Sequence, residues 1–435
     1  MNTRINTIIL NCALVLGLAS AAAQADTLLI KGGKVYTLAN AGTLKSADVL
    51  VRDGHVEAVG AGLDAQADKV IDASGKIVTP GVIAADTLLG LTEIGAAMST
   101  NDDAAVEGDN TKNVQIGTSY DPLPAYNPHS TLIPFNRAGG VTRAMVIPDS
   151  QQKIFAGRGF AIELNGDFDS VVGKNLVQRI YLGESGAQLA GGSRAVAYAQ
   201  LRQALNEARE YAANRDAIRR GDWRDLQLPL SDLEALQPLV NGREVMLVKA
   251  NRASDILQTI KLAQEFKLRL VIDGAAEGWM VAKQLAAAKV PVVIDAMDNL
   301  PIAFESLGAR LDNAALLNRA GVQVLISGPP GSLATYNAYL ARQGAGNAVA
   351  NGMPYEAALK AISRNVAQVF GIDGGTIEPG AVADIVVWSG DPLEVTSYAE
   401  QVLIDGVPQS LVSRSTRLRD RYLTPQPGHE AAYKF

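Results

Sequence analysis

One cysteine and three histidines in 435 residues are what this chain has least of, and each scarcity excludes some chemistry. Cys12 lies inside the N-terminal apolar stretch, so a chain matured beyond it has no cysteine. Disulfides, thiolate metal sites and a cysteine nucleophile are then excluded. His55, His129 and His429 are too few to build a histidine-rich metal centre. There is no basic block, and the net charge of −6 argues against a nucleic-acid partner. What the chain does have is apolar residues, 48% of the total, which is enough for a large core and too many for a disordered chain. Its length fits two or three domains, or one large barrel with an accessory domain.

The first residues form a targeting pattern. Arg4 supplies a positive n-region, residues 8–23 are apolar, and Ala23-Gln24-Ala25 offers a small-residue cleavage site. Residues 1–25 are therefore read as a secretory signal peptide. An uncleaved anchor is the alternative, but the run is shorter than the ~20 residues a spanning helix needs. Removing the segment leaves 38 basic and 45 acidic residues, a net charge of −7. No later segment is apolar enough to span a bilayer. The mature protein is expected to be exported and soluble, periplasmic in a Gram-negative source and extracellular otherwise.

Two β-rich patches bracket a mixed middle. Residues 27–30 and 34–37 read as strands flanking Gly32-Gly33, and 48–51 and 55–59 as strands flanking Asp53-Gly54, a pair suited to a type I′ hairpin. Similar texture returns at 384–388 and 401–404, before Asp405-Gly406. Between them strands are expected at 141–147, 244–248, 268–272, 291–294 and 322–326. Helices are expected at 194–219, 254–266, 278–288, 307–320 and 355–370. Ser231-Asp232-Leu233-Glu234 fits a capping box opening a short helix. Residues 344–352, rich in Gly and Asn, read as a loop, and 99–130 as an insertion across the barrel top. Strands alternating with helices at this spacing imply an α/β fold with a parallel sheet or barrel.

Two motifs make the pattern specific. Leu29-Ile30-Lys31-Gly32-Gly33-Lys34-Val35, Asp48-Val49-Leu50-Val51-Arg52-Asp53-Gly54 and Ile71-Asp72-Ala73-Ser74-Gly75-Lys76-Ile77-Val78-Thr79-Pro80-Gly81 open the chain. Near the far end come Ala358-Leu359-Lys360-Ala361-Ile362-Ser363-Arg364-Asn365 and Gly375-Thr376-Ile377-Glu378-Pro379-Gly380-Ala381-Val382-Ala383-Asp384, running on to Asp391-Pro392-Leu393. Together they resemble the amidohydrolase superfamily, most closely its imidazolonepropionase-like branch. The resemblance implies a (β/α)8 TIM-like barrel over residues 81–370 and a small β-sandwich from 26–80 plus 371–410, followed by a C-terminal helix and tail at 411–435. It also implies an active site at the C-terminal ends of the strands.

Members of that family bind zinc or another divalent metal, whose bound hydroxide attacks a C–N bond. Here Asp86 and Leu88 stand where a His-x-His pair belongs, and Arg179 replaces a lysine open to carbamylation. Lys249 and Asn251 follow the strand that should carry a His, and Asp273-Gly274 replaces another. Ile326-Ser327-Gly328 lacks the final Asp. None of the five strand-end positions retains its ligand. His55 reads as a hairpin residue, His129 as a loop residue and His429 as part of the tail. No metal and no cofactor are predicted. Asp86, Glu93, Lys249, Asp273, Asp295 and Asp298 remain as candidate site residues at the mouth. There they form either an oxygen-ligand metal site or, as preferred, a set in which Lys249 serves as a built-in cation.

Other motifs are weaker. Gly183-Glu184-Ser185-Gly186-Ala187 lacks the last Gly of a nucleophile elbow, and Gly328-Pro329-Pro330-Gly331-Ser332 lacks the Lys of a phosphate loop. The chain is expected to have lost metal-dependent hydrolysis and to act as a binding or partner subunit. Its partner is expected to be another exported amidohydrolase-family protein or a small-molecule ligand, and a homo-oligomer is open. The alternative is an active hydrolase of cyclic amides, imides or dipeptides with a remodelled carboxylate site.

Overall fold

The computed structural model describes residues 27–104, 117–150, 152–328 and 336–423. The signal-peptide reading, His429 and most of the 328–332 motif fall outside these residues. Two eight-stranded sheets organise the chain.

The first sheet uses both ends of the sequence. β1 (Thr27–Tyr36), β2 (Thr43–Arg52), β3 (His55–Gly60), β4 (Lys69–Asp72) and β5 (Ile77–Pro80) come from the N-terminal part. After the strands of the barrel, β14 (Ile385–Trp388), β15 (Ala399–Ile404) and β16 (Val407–Pro408) complete the sheet in the order β16-β15-β14-β5-β1-β2-β3, with β4 paired to β1. Asp53-Gly54 and Asp405-Gly406 both have positive φ, as the hairpin chemistry requires. The two turns meet, and a Cβ on Gly54 would lie 3.0 Å from the Asp405 carbonyl. The sheet thus curls over its own core of Ile30, Val49, Val78, Ile385 and Leu403. The two short strands expected around Gly32-Gly33 are one strand with an irregular register there, because β2 pairs with both halves.

The second sheet is the barrel. Its strands are β6 (Val82–Thr87), β7 (Val141–Val146), β8 (Phe155–Glu163), β9 (Val171–Tyr181), β10 (Val245–Ala250), β11 (Arg269–Gly274), β12 (Val292–Ile294) and β13 (Val324–Ile326), in sequence order. β8 is antiparallel to both neighbours and the other strands run parallel. This departs from unbroken βα alternation, since the β8–β9 hairpin intervenes between β7 and the expected helix, which is present as Arg194–Arg220. Gly159 permits it: a Cβ there would sit 2.5 Å from Val177 on the facing strand.

Side chains alternate between the two faces. Ile83, Met145, Val177, Leu247, Val271, Val293 and Leu325 share one interior cluster, whereas Ala84, Ala144, Ile180, Met246, Ile272 and Ile294 pack with the outer helices. The helix Arg364–Phe370 joins the interior cluster through Val366 and Phe370 and closes the N-terminal end. The helix expected over 355–370 breaks at Ile362-Ser363, where the Ile362 carbonyl accepts from the Ile83 N–H of β6.

Two further expectations change. Residues Ala341–Ala350 are helical rather than a loop. Their small residues allow close packing, for a Cβ on Gly346 would come 2.6 Å from the Leu393 carbonyl. The helix Leu230–Ala235 has no side-chain cap. The Asp232 carboxylate instead accepts from the Ser119 N–H at 2.9 Å, tying down the insertion before β7. No helix among the described residues is long and apolar enough to cross a membrane.

Candidate active site at the barrel mouth

The period-two alternation that builds the apolar interior also places the charges. Two residues beyond Val177, Leu247, Val271 and Val293 on the same faces come Arg179, Lys249, Asp273 and Asp295, a polar layer over the apolar one. Asp86 reaches this layer by a different device. Ala84 and Thr87 of β6 pair with Ala144 and Val146 of β7, leaving one extra residue on β6. That bulge aims Asp86 inward.

Arg179 is the hub, its side chain 7% exposed. Its Nη2 donates to Asp86 Oδ2 and, at 3.2 Å, to Asp273 Oδ2. Lys249 Nζ stands 3.4 Å from the same Asp273 oxygen, and the two residues are register partners on β10 and β11. The guanidinium also lies 5.9 Å from the ring centre of Tyr181, whose hydroxyl donates to Asp149. Burial pushes the Asp86 carboxyl up to about 6, against the pull of Arg179 and with help from Asp273. Burial likewise raises the Tyr181 hydroxyl well above its ordinary value, with the Asp149 charge adding to the rise.

The structure joins Asp86, Lys249 and Asp273 of the six candidates in one network. Asp295 is close enough for Lys249 to lower its carboxyl, although burial raises it overall; its Oδ1 accepts from the Met297 N–H at 2.9 Å. Glu93 instead faces Asn127 and Thr131, at 3.4 and 3.5 Å, and Asp298 is exposed. His129 stacks on Phe168 at the tip of the β8–β9 hairpin. The 11 residues of β9 separate that tip from Tyr181, roughly 35 Å at ~3.3 Å per residue. His55 is exposed and contacts the Asp53 carbonyl.

Several site residues were not singled out from the sequence. Asp149 and Tyr181 belong to the Arg179 network. Glu305, 3% exposed, accepts from Asn251 at 2.9 Å and from Arg194 at 3.3 Å. The glycine pattern carries a trace of this packing. Gly183 has φ +67°, and a Cβ there would lie 2.5 Å from Glu305 Oε2. Gly274 has φ +96°, and a Cβ there would lie 2.4 Å from Asn251 Oδ1.

These donors do not fit a resident zinc ion. Both carboxylates at the centre are paired with side-chain cations, Asn251 is committed to Glu305, and Leu88 is buried. Among the described residues no group of three or more His, Cys, Asp or Glu side chains is placed to hold a metal ion.

A nearly closed eight-stranded barrel with a composite terminal sheet and polar residues at the strand ends defines a TIM-like barrel scaffold. Residues 315–409 match the Amidohydrolase family. A solved amidohydrolase from Thermotoga maritima MSB8 superposes with a TM-score of 0.75 at 26% identity, covering 88% of this chain and 99% of that one. The amidohydrolase tasK of Hapsidospora irregularis is 24% identical over 400 residues, 83% of this chain. A dihydroorotase of Halalkalibacterium halodurans is 46% identical over 55 residues, 13% of this chain. The chain spans 40% and 12% of the lengths of those two relatives. These likenesses support membership of the amidohydrolase superfamily.

Proposed function

We propose that this is an exported member of the superfamily that has given up metal-dependent C–N hydrolysis and uses its barrel as a binding or partner subunit. One observation carries the reading: the Arg179 guanidinium lies between Asp86 and Asp273, with Lys249 against the second carboxylate. Metal-dependent hydrolysis needs a cation with an open coordination position to lower the pKa of a water. Here the inward carboxylates are neutralised by the chain's own cations. The leader-like residues 1–25 support export. A small molecule at the mouth or another exported amidohydrolase-family protein is the proposed partner. The test is a turnover screen on cyclic imides and dipeptides, with and without Zn²⁺ or Mn²⁺. No turnover above background is expected, and metal-stimulated turnover overturns the proposal.

A second reading, hydrolysis by a remodelled carboxylate site, draws on the Asp86 carboxyl at about 6. A buried carboxyl titrating near neutrality is suited to proton transfer. It predicts turnover that survives chelation and disappears in Asp86→Asn.

A further inference from the structure

Arginine is ordinarily favoured beside carboxylates because its fork makes two parallel hydrogen bonds. Arg179 does not use it that way. A single nitrogen, Nη2, serves oxygens of two different carboxylates, Asp86 Oδ2 and Asp273 Oδ2. Its Nε is buried with no hydrogen-bond partner among the described residues. A five-donor group buried to this depth, with one nitrogen hydrogen-bonded among the described residues, is being used as a point of positive charge. Two carboxylate oxygens from different strands meeting at one point is also the start of a hard-cation site, which takes oxygen donors and completes its shell with water. The floor is apolar, formed by Leu247 and Val271, so a charge at that point is shielded from solvent below.

We infer that Arg179 Nη2 occupies the seat of a divalent cation, and that removing the side chain uncovers an Asp86–Asp273 site for an oxygen-seeking ion such as Mn²⁺. The inference rests on the reading of the mouth as neutralised by its own cations, and it explains that reading: the guanidinium excludes the metal by occupation as well as by charge. Lys249, 3.4 Å from Asp273, opposes an incoming ion and sets the affinity of the uncovered site.

The test is Mn²⁺ binding to the full chain, followed by electron paramagnetic resonance and by thermal melting. Wild type is expected to bind no Mn²⁺ at the mouth and to melt at the same temperature with or without it. Arg179→Ala is expected to bind one Mn²⁺ per chain, with a melting temperature that climbs with ion concentration. Arg179→Met, which fills the seat without charge, is expected to bind at least ten-fold more weakly than Arg179→Ala. Lys249→Ala added to Arg179→Ala tightens binding at least ten-fold, and Asp273→Asn added to it abolishes binding. Should Arg179→Ala be unfolded alone, Mn²⁺ is expected to refold it, and no refolding overturns the inference. So does stoichiometric Mn²⁺ in wild type that is lost in Asp86→Ala, or a folded Arg179→Ala that takes up none. Hydrolysis by wild type that survives chelation would overturn the proposed function and leave the cation seat standing.

Discussion

Two arginines stand on strands of the same barrel, similarly buried, and they hold different things together. Arg143 on β7 has a side chain 3% exposed, against 7% for Arg179 on β9. Arg143 meets Glu163 of β8 at 3.1 Å, Asp384 just before β14 at 2.7 Å and Asp405 at the β15–β16 turn at 2.9 Å. Two of those carboxylates belong to the terminal sheet, so the cluster fastens one unit to the other. The partners of Arg179 both come from strand ends of the barrel, and it fastens nothing beyond it. Its carboxylates also have other recourse, since Asp86 holds a proton up to about 6 and Asp273 leans on Lys249. A buried arginine is therefore structural or electrostatic according to where its partners come from.

The comparison breaks most visibly if Arg143 is removed. Arg143→Met should cost about 3–5 kcal/mol, the range for removing one partner of a buried ion cluster. Urea unfolding measures it, and a loss under 1 kcal/mol would mean that the two units are not joined through this residue. Arg179→Met should cost less, about 1–3 kcal/mol, because Asp86 can protonate and Lys249 remains. A loss equal to that of Arg143→Met would erase the distinction drawn between the two.

The pH dependence of the two clusters sharpens it. Burial pushes Glu163 up to about 7 against the pull of Arg143, with Asp405 adding to the rise, while Asp86 is pushed up to about 6. In both cases the folded state holds the proton more tightly than the unfolded chain. That stability is complete below the ordinary carboxyl values and is lost as pH rises through the folded ones. Glu163→Gln and Asp86→Asn, which stay neutral, should each gain on wild type by about 2–3 kcal/mol as pH rises from about 4 to about 8.5. Thermal melts across that range should show the gain levelling off above about 6 for Asp86→Asn and above about 7 for Glu163→Gln. A constant difference across the range would show that neither carboxyl is shifted. The smallest effect belongs to Lys249→Met, expected below about 1 kcal/mol because its side chain is 24% exposed and Asp273 keeps Arg179. A larger loss would make Lys249, and not Arg179, the main cation of the mouth.

Much of the fold was legible in residue order because its signals are local. The Asp53-Gly54 and Asp405-Gly406 turns declare themselves, and so does the apolar run before Lys249. The strand–helix spacing from β10 to β13 needs only hydrophobic periodicity. The terminal motifs and the missing histidines pointed to Asp86, Arg179, Lys249 and Asp273 at predicted strand ends, and the structure brings these four together. The β8–β9 hairpin was missed although Asn165-Gly166 in its connection is a hairpin signature, and its glycines matter for what faces them. Missed too was the helix Ala341–Ala350, whose glycines mark close packing instead of a loop.

The sequence by itself determined which groups are available to this barrel: carboxylates and two cations at the strand ends, with no imidazole among them. Which of those groups meet was left to the tertiary structure. A one-residue bulge in β6 turned Asp86 inward, the hairpin set the register of Arg179, and the pairing of β10 with β11 put Lys249 beside Asp273. Residues up to 187 positions apart in the chain, as Asp86 and Asp273 are, converge on one nitrogen only after the barrel has closed around them. Local chemistry sets a residue's charge, but its partners depend on strand register, and register is a property of the whole sheet.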